Sequence, residues 1–246
     1  MGKSVVQNQI NLKHIIMESY WLLQANFNLI MVFTFCIYIP FYILEMLIPF
    51  ESLANEYGKL AVGVLYMTIA WAKSILGLLG FAGIAYIVRR SMKGEPRTLV
   101  DTLRFSFSRL EDVFWASFLS NIICLGLMLL FIIPGIIWAN YYSFVLATAA
   151  LQGITGKAAL DHSKRLVKGQ WWKIFWINLA IGLMSLSFSI PLFLVVRNMP
   201  EVHALNSFIH TIISYMLGSI SSVVQVVLFF NVMQAKELQK QNRDVK

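Results

Sequence analysis

Six apolar stretches, each near the length of a bilayer crossing, recur along this chain and leave it few folds to choose from. A helix needs about 20 mainly apolar residues to cross hydrocarbon, because every backbone amide there must be satisfied within its own segment. The stretches cover residues 28–50, 60–88, 113–133, 136–151, 172–196 and 208–232. Charged residues make up only 13% of the chain, well below the roughly 25% of a soluble domain. The mean hydropathy of +0.69 points the same way. The fold class is therefore all-α integral membrane, with about six transmembrane helices in a single membrane domain over 1–246.

Prolines set the turns. Pro40 predicts a kink in the first span and Pro49 its end. Pro134-Gly135 breaks the third span and lets the fourth return with almost no external loop, while Pro191 falls near the end of the fifth. The second span is too long to stand straight, which predicts tilt or projection from one face.

The segments between the spans are amphipathic. Residues 97–112 place Leu99, Leu103, Phe107 and Leu110 at helical spacing. Residues 156–170 place Ala159, Leu160, Ser163, Leu166 and Val167 on one side, with the lysines and Arg165 largely elsewhere. Residues 1–25 offer Leu12, Ile15, Ile16 and Ser19 in the same way. Such helices lie in the interface with cations near the head groups, which makes Arg104, Arg109, Lys164, Arg165 and Lys168 the candidate lipid-facing bases. The pattern is three hairpins (28–88, 113–151 and 172–232), each preceded by an interfacial helix and followed at the end by a polar tail over 233–246. The first segment lacks the apolar core and small-residue cleavage site of a secretory signal, so it is expected to stay in the mature protein.

Of the 20 lysines and arginines, all but Lys59, Lys73 and Arg197 fall on one side of this layout. That asymmetry predicts a multi-pass protein of the plasma or inner membrane with both termini cytoplasmic. The net charge of +8 is spread between apolar helices, which favours anionic lipid over nucleic acid as the counter-charge.

Within the spans, Lys73 would cost about 2.5–3.5 kcal/mol at mid-membrane. It lies 15 residues from Val88, or roughly 22 Å along a helix. Glu45 reaches a comparable depth on the neighbouring span. One reading pairs Glu45 with Lys73 in a polar cavity; the other lets each snorkel separately to the interface. Ser214, Gly218, Ser221, Ser222 and Gln225 form a small polar stripe on the last span, and Ser185 and Ser189 another on the fifth. Gly77, Gly80 and Gly83 read as helix packing, the usual role of small residues in membranes.

Chemistry-bearing constellations are missing from the sequence. Its four histidines are dispersed without metal-ligand spacing, and no nucleophile elbow, phosphate-cradling loop or zinc-protease motif occurs. Cys36 and Cys124 lie in apolar stretches and predict no disulfide. No catalytic, cofactor or metal site is expected.

From Phe131 to Phe175 the chain carries Pro134-Gly135 after an apolar helix, Tyr141 and Tyr142, then Gly156, Ala159, Ser163, Leu166, Gly169 and Trp172. This pattern resembles the bacterial membrane proteins grouped with the membrane domain of glycerophosphoryl diester phosphodiesterase, including the YciC-like inner-membrane proteins. Relatives often carry an acidic residue just before the amphipathic helix, where Gln152 stands here. That family takes its name from fusions to a soluble catalytic barrel with no counterpart in these residues. The resemblance implies a bacterial membrane module and singles out Pro134, Gly135, Ser163 and Gly169.

The expectation for function is a non-enzymatic membrane protein that binds lipid or a protein or peptide partner, in envelope maintenance or self-protection against a membrane-active peptide. The alternative is a small transporter or efflux component, suggested by Glu45, Lys73 and the serine stripes.

Overall fold

The computed structural model describes residues 12–197 and 203–244. Within them it leaves out the side chains of 45, 51, 54, 188–189, 192–193, 195–197, 203–211 and 243–244. Nine helices account for nearly all of the described residues, and no strand occurs among them: α1 (Leu12–Met46), α2 (Phe50–Met92), α3 (Leu99–Ser108), α4 (Leu110–Leu130), α5 (Ile132–Tyr141), α6 (Val145–Gln152), α7 (Gly156–Val167), α8 (Trp171–Arg197) and α9 (His203–Asp244). Five segments are long and apolar enough to cross a membrane: Leu12–Leu44, Asn55–Met92, Leu110–Leu130, Ile132–Gln152 and Ile212–Asn242.

Several boundaries differ from the expectation. The amphipathic segment expected over 1–25 and the first span share one helix from Leu12 onward. No Gly, Pro or polar run lies between 12 and 28 to stop the helix there. Pro40 stays within α1 as well. Besides the turn at 47–49, next to Pro49, the backbone breaks at Gly58, inside α2, at φ 85° and ψ 160°, a conformation open to glycine because it has no Cβ.

The second hairpin also turns elsewhere. Phe131, at φ −153° and ψ 126°, separates α4 from α5. Pro134 lies in the first turn of α5, where its missing N–H would have found no intrahelical partner anyway. It therefore opens a helix and does not close one. A Cβ on Gly135 would overlap the Met128 side chain and come within 3.0 Å of its Cα, so glycine is what lets α5 fold back against α4.

The core gathers at one end of the bundle. It takes in Ile30 and Phe33 of α1, Phe81–Val88 of α2, Val113 and Ala116 of α4, most of α6, the apolar face of α7 and Val223–Val232 of α9. Helix α6 is central. Its run Ala147, Thr148, Ala149, Ala150 is fully buried against α2, α4 and α7, because small side chains allow close backbone approach. Away from this end the helices splay. Leu60, Met67 and Trp71 of α2, and Leu129 and Leu130 of α4, are more than 60% exposed. Apolar surface that broad marks a face that contacts a membrane or another protein.

Helix α3 packs on α2 through a face the periodicity did not favour. Thr102 and Ser106 are buried, Leu99 and Leu103 only partly so, and Phe107 is 62% exposed. The fit is made at Gly83, where a Cβ would strike the Phe33 ring and lie 2.6 Å from Ser106 Oγ. Both hydroxyls are burial-ready because their own helix satisfies them: Thr102 donates to the Thr98 carbonyl at 2.7 Å and Ser106 to the Thr102 carbonyl at 2.8 Å.

Candidate functional site

The polar and charged side chains with defined geometry cluster at the core end, around α6 and α7. Helix α7 starts after Thr155 and turns Ala159, Leu160, Ser163, Leu166 and Val167 inward. These five are the residues its amphipathic pattern assigns to one side. Gly169, at φ 87°, ends the segment in the left-handed region.

Ser163 reaches across to the joint between α5 and α6. Its hydroxyl donates to the Tyr141 carbonyl at 2.8 Å and accepts from the Phe144 N–H at 3.1 Å. A break in a buried helix exposes backbone groups that must find partners within the protein. One buried serine meets two of them. Trp171 and Asn140 hold the same joint to α8: Asn140 Nδ2 donates to the Trp171 carbonyl at 3.1 Å, and Asn178 Nδ2 to Asn140 Oδ1 at 3.1 Å.

The C-terminus of α6 is clasped by cations, as the negative end of a helix dipole favours. Arg89 Nη1 donates to the Leu151 carbonyl at 3.2 Å. Gly153 follows at φ 67°, with Arg109 packed on it so closely that a Cβ would lie 2.5 Å from Nη1. Arg109 also pairs with Asp112 at 3.0 Å. Arg97 bonds through Nε to the buried Asn26 Oδ1, while Asn26 Nδ2 donates to Ser91 at 2.9 Å, tying the segment before α3 to α1 and α2.

The five expected lipid-facing bases thus divide into two groups. Arg104, Arg165 and Lys168 are exposed. Arg109 is half-buried in the contacts just described, and Lys164 places Nζ 4.3 Å from the centre of the Trp138 ring. Lys168 contributes its backbone as well, its carbonyl accepting from Lys236 Nζ of α9 at 2.6 Å. His162, half-buried on α7, bonds Thr148 at 3.4 Å; burial, and then the Arg165 charge, hold its pKa below the ordinary 6.5.

The intramembrane polar residues fare differently. Glu45 lies in α1 but its side chain is outside the described residues, and Lys73 is half-buried on α2. Of the serines on the last two helices one pair meets across them, and the side chain of Ser189 lies outside the described residues. Ser185 and Ser221 lie 3.2 Å apart, Ser222 returns its hydrogen to the Gly218 carbonyl, and Ser219 pairs with Thr34 of α1 at 3.0 Å.

Sequence reasoning did not anticipate Arg89, Asn26, Asn140 or Asn178. Asparagine inside an apolar stretch was the available signal, since a buried amide requires partners. Among the described residues no three His, Cys, Asp or Glu side chains converge as metal ligands. Fold and site together define an all-helical protein with several helices able to cross a membrane. No family model, curated protein or solved structure matches the chain.

Proposed function

We propose that the chain is a non-enzymatic membrane protein of six spans in three hairpins, with both termini cytoplasmic, whose basic end holds anionic lipid head groups. The observation that carries this reading is the exposure of Arg104, Arg165 and Lys168 on helices whose inner faces are already committed to the core. Each such cation contributes about 1 kcal/mol near an anionic surface. The sixth span is α8, whose 27 residues reach roughly 40 Å. The Lys236–Lys168 bond supports it, because it brings the far end of α9 back to the start of α8. An even count of spans also keeps every basic segment on one side.

The resemblance to the membrane-domain family favours a bacterial inner-membrane setting, and with it a role in envelope maintenance or protection against a membrane-active peptide. The hydroxyl pairs Thr34–Ser219 and Ser185–Ser221 favour helix packing over a substrate path. The test is the triple change Arg104→Gln, Arg165→Gln, Lys168→Gln. It is expected to lower the preference for phosphatidylglycerol over phosphatidylcholine in vesicles by about 100-fold, taking three cations at about 1 kcal/mol each. An unchanged preference rejects the reading.

A further inference from the structure

Helices α1 and α8 both pack along α9, and a cleft lies between them. Its walls include Ile16 and Leu23 of α1 and Ile177, Ile181 and Met184 of α8, with Val223 of α9 on its floor. The cavity is about 240 Å³, below the roughly 300–1,000 Å³ of ordinary ligand pockets. It suits a flexible chain better than a bulky head group.

One polar side chain breaks this apolar lining. Ser19 is 4% exposed and its Oγ has no hydrogen-bond partner among the described residues. A serine within a helix usually returns its hydrogen to the carbonyl one turn back, as Ser106, Ser219 and Ser222 do here. Ser19 keeps a donor unspent inside an apolar slot. Lys13, next in sequence to the lining residue Leu12 on α1, and Lys173, one turn before the lining residue Ile177 on α8, are both exposed. Lys13 precedes Ser19 by about 9 Å along the helix, which sets the cations on the head-group side of the hydroxyl.

We propose that this cleft seats one acyl chain of an anionic phospholipid, with the Ser19 hydroxyl donating to the ester carbonyl and Lys13 and Lys173 beside the phosphate. Lipid is the occupant because the α1 wall belongs to a segment apolar enough to lie in a bilayer, where tails surround the opening. The site is separate from the exposed cations of α3 and α7, so either proposal can fail alone.

The test is native mass spectrometry of the full chain, released from detergent in the presence of phosphatidylglycerol. One lipid is expected to persist after the rest are stripped. Ala180→Trp, which places an indole in the slot, should reduce its occupancy ten-fold or more, whereas Leu129→Trp on the open lipid-facing surface should not. Ser19→Ala should weaken retention about five-fold, the size of one hydrogen bond, and Ser19→Thr should preserve it. If Ala180→Trp fails to fold, the Ser19 pair decides. Equal retention in all variants means annular lipid only and overturns the proposal, as does a dimer in wild type that Ala180→Trp dissociates. Loss of surface binding in the Arg104/Arg165/Lys168 triple variant with the slot lipid retained separates the two readings.

Discussion

Ser163 of α7 donates to the carbonyl of Tyr141, 22 positions earlier, and so closes the break at which α5 gives way to α6. The same oxygen takes the Phe144 N–H, which makes α7 and the α5–α6 segment one structural unit. Ser163→Ala would orphan both backbone groups. Leaving buried groups unsatisfied costs about 1–3 kcal/mol, so the thermal midpoint of the detergent-purified protein should fall, with Ser163→Val falling at least as far.

Glycine-to-alanine changes should divide sharply by location. At Gly83 and Gly135 an added methyl meets packed atoms, and overpacking costs about 1–3 kcal/mol. At Gly126 nothing lies within 4 Å, so alanine should be neutral or gain up to about 1 kcal/mol in helix propensity. Thermal denaturation of the three variants checks the contrast.

Acidification should loosen the seat of α7. His162 has its pKa lowered by burial and by Arg165, so the neutral ring is the form the fold prefers. Its contribution is complete above the unfolded value of 6.5 and is lost as pH falls through 6.5 toward the lower folded value. Stability of the wild type measured from pH 7.5 to 5 should therefore decline more steeply than that of His162→Gln.

The Thr34–Ser219 pair joins α1 to α9 at a point buried from every side. Interhelical hydrogen bonds within membranes average about 0.6 kcal/mol in double-mutant cycles. A cycle of Thr34→Val and Ser219→Ala should return a coupling of about that size, read from unfolding in mixed micelles.

Much of the architecture was legible in the sequence wherever it depended on composition along a single helix. Long apolar runs announce helices able to cross a bilayer, and the inward face of α7 follows from five residues at helical spacing. Helix α3 itself was readable but its buried face was not, because that face is made of Thr102 and Ser106, whose hydroxyls look solvent-directed until the carbonyls one turn back are seen to satisfy them. Pro134-Gly135 signals a turn in the sequence, but only the structure shows on which side of the turn the pair lies. The proline fits the first turn of α5, and the break itself falls at Phe131.

What the sequence determined alone is the helical, membrane-compatible character of the chain and the lopsided distribution of its cations, since hydropathy and charge are properties of each segment in isolation. Which cations stay exposed was decided only by tertiary structure. Arg89 and Arg109 are drawn in by the carbonyl end and the turn of α6, and Lys164 by the Trp138 ring, while Arg104 and Arg165 stay exposed among the described residues. The physical reason is that a cation settles where another element offers unsatisfied oxygens or an aromatic face, and those positions exist only once distant helices have met.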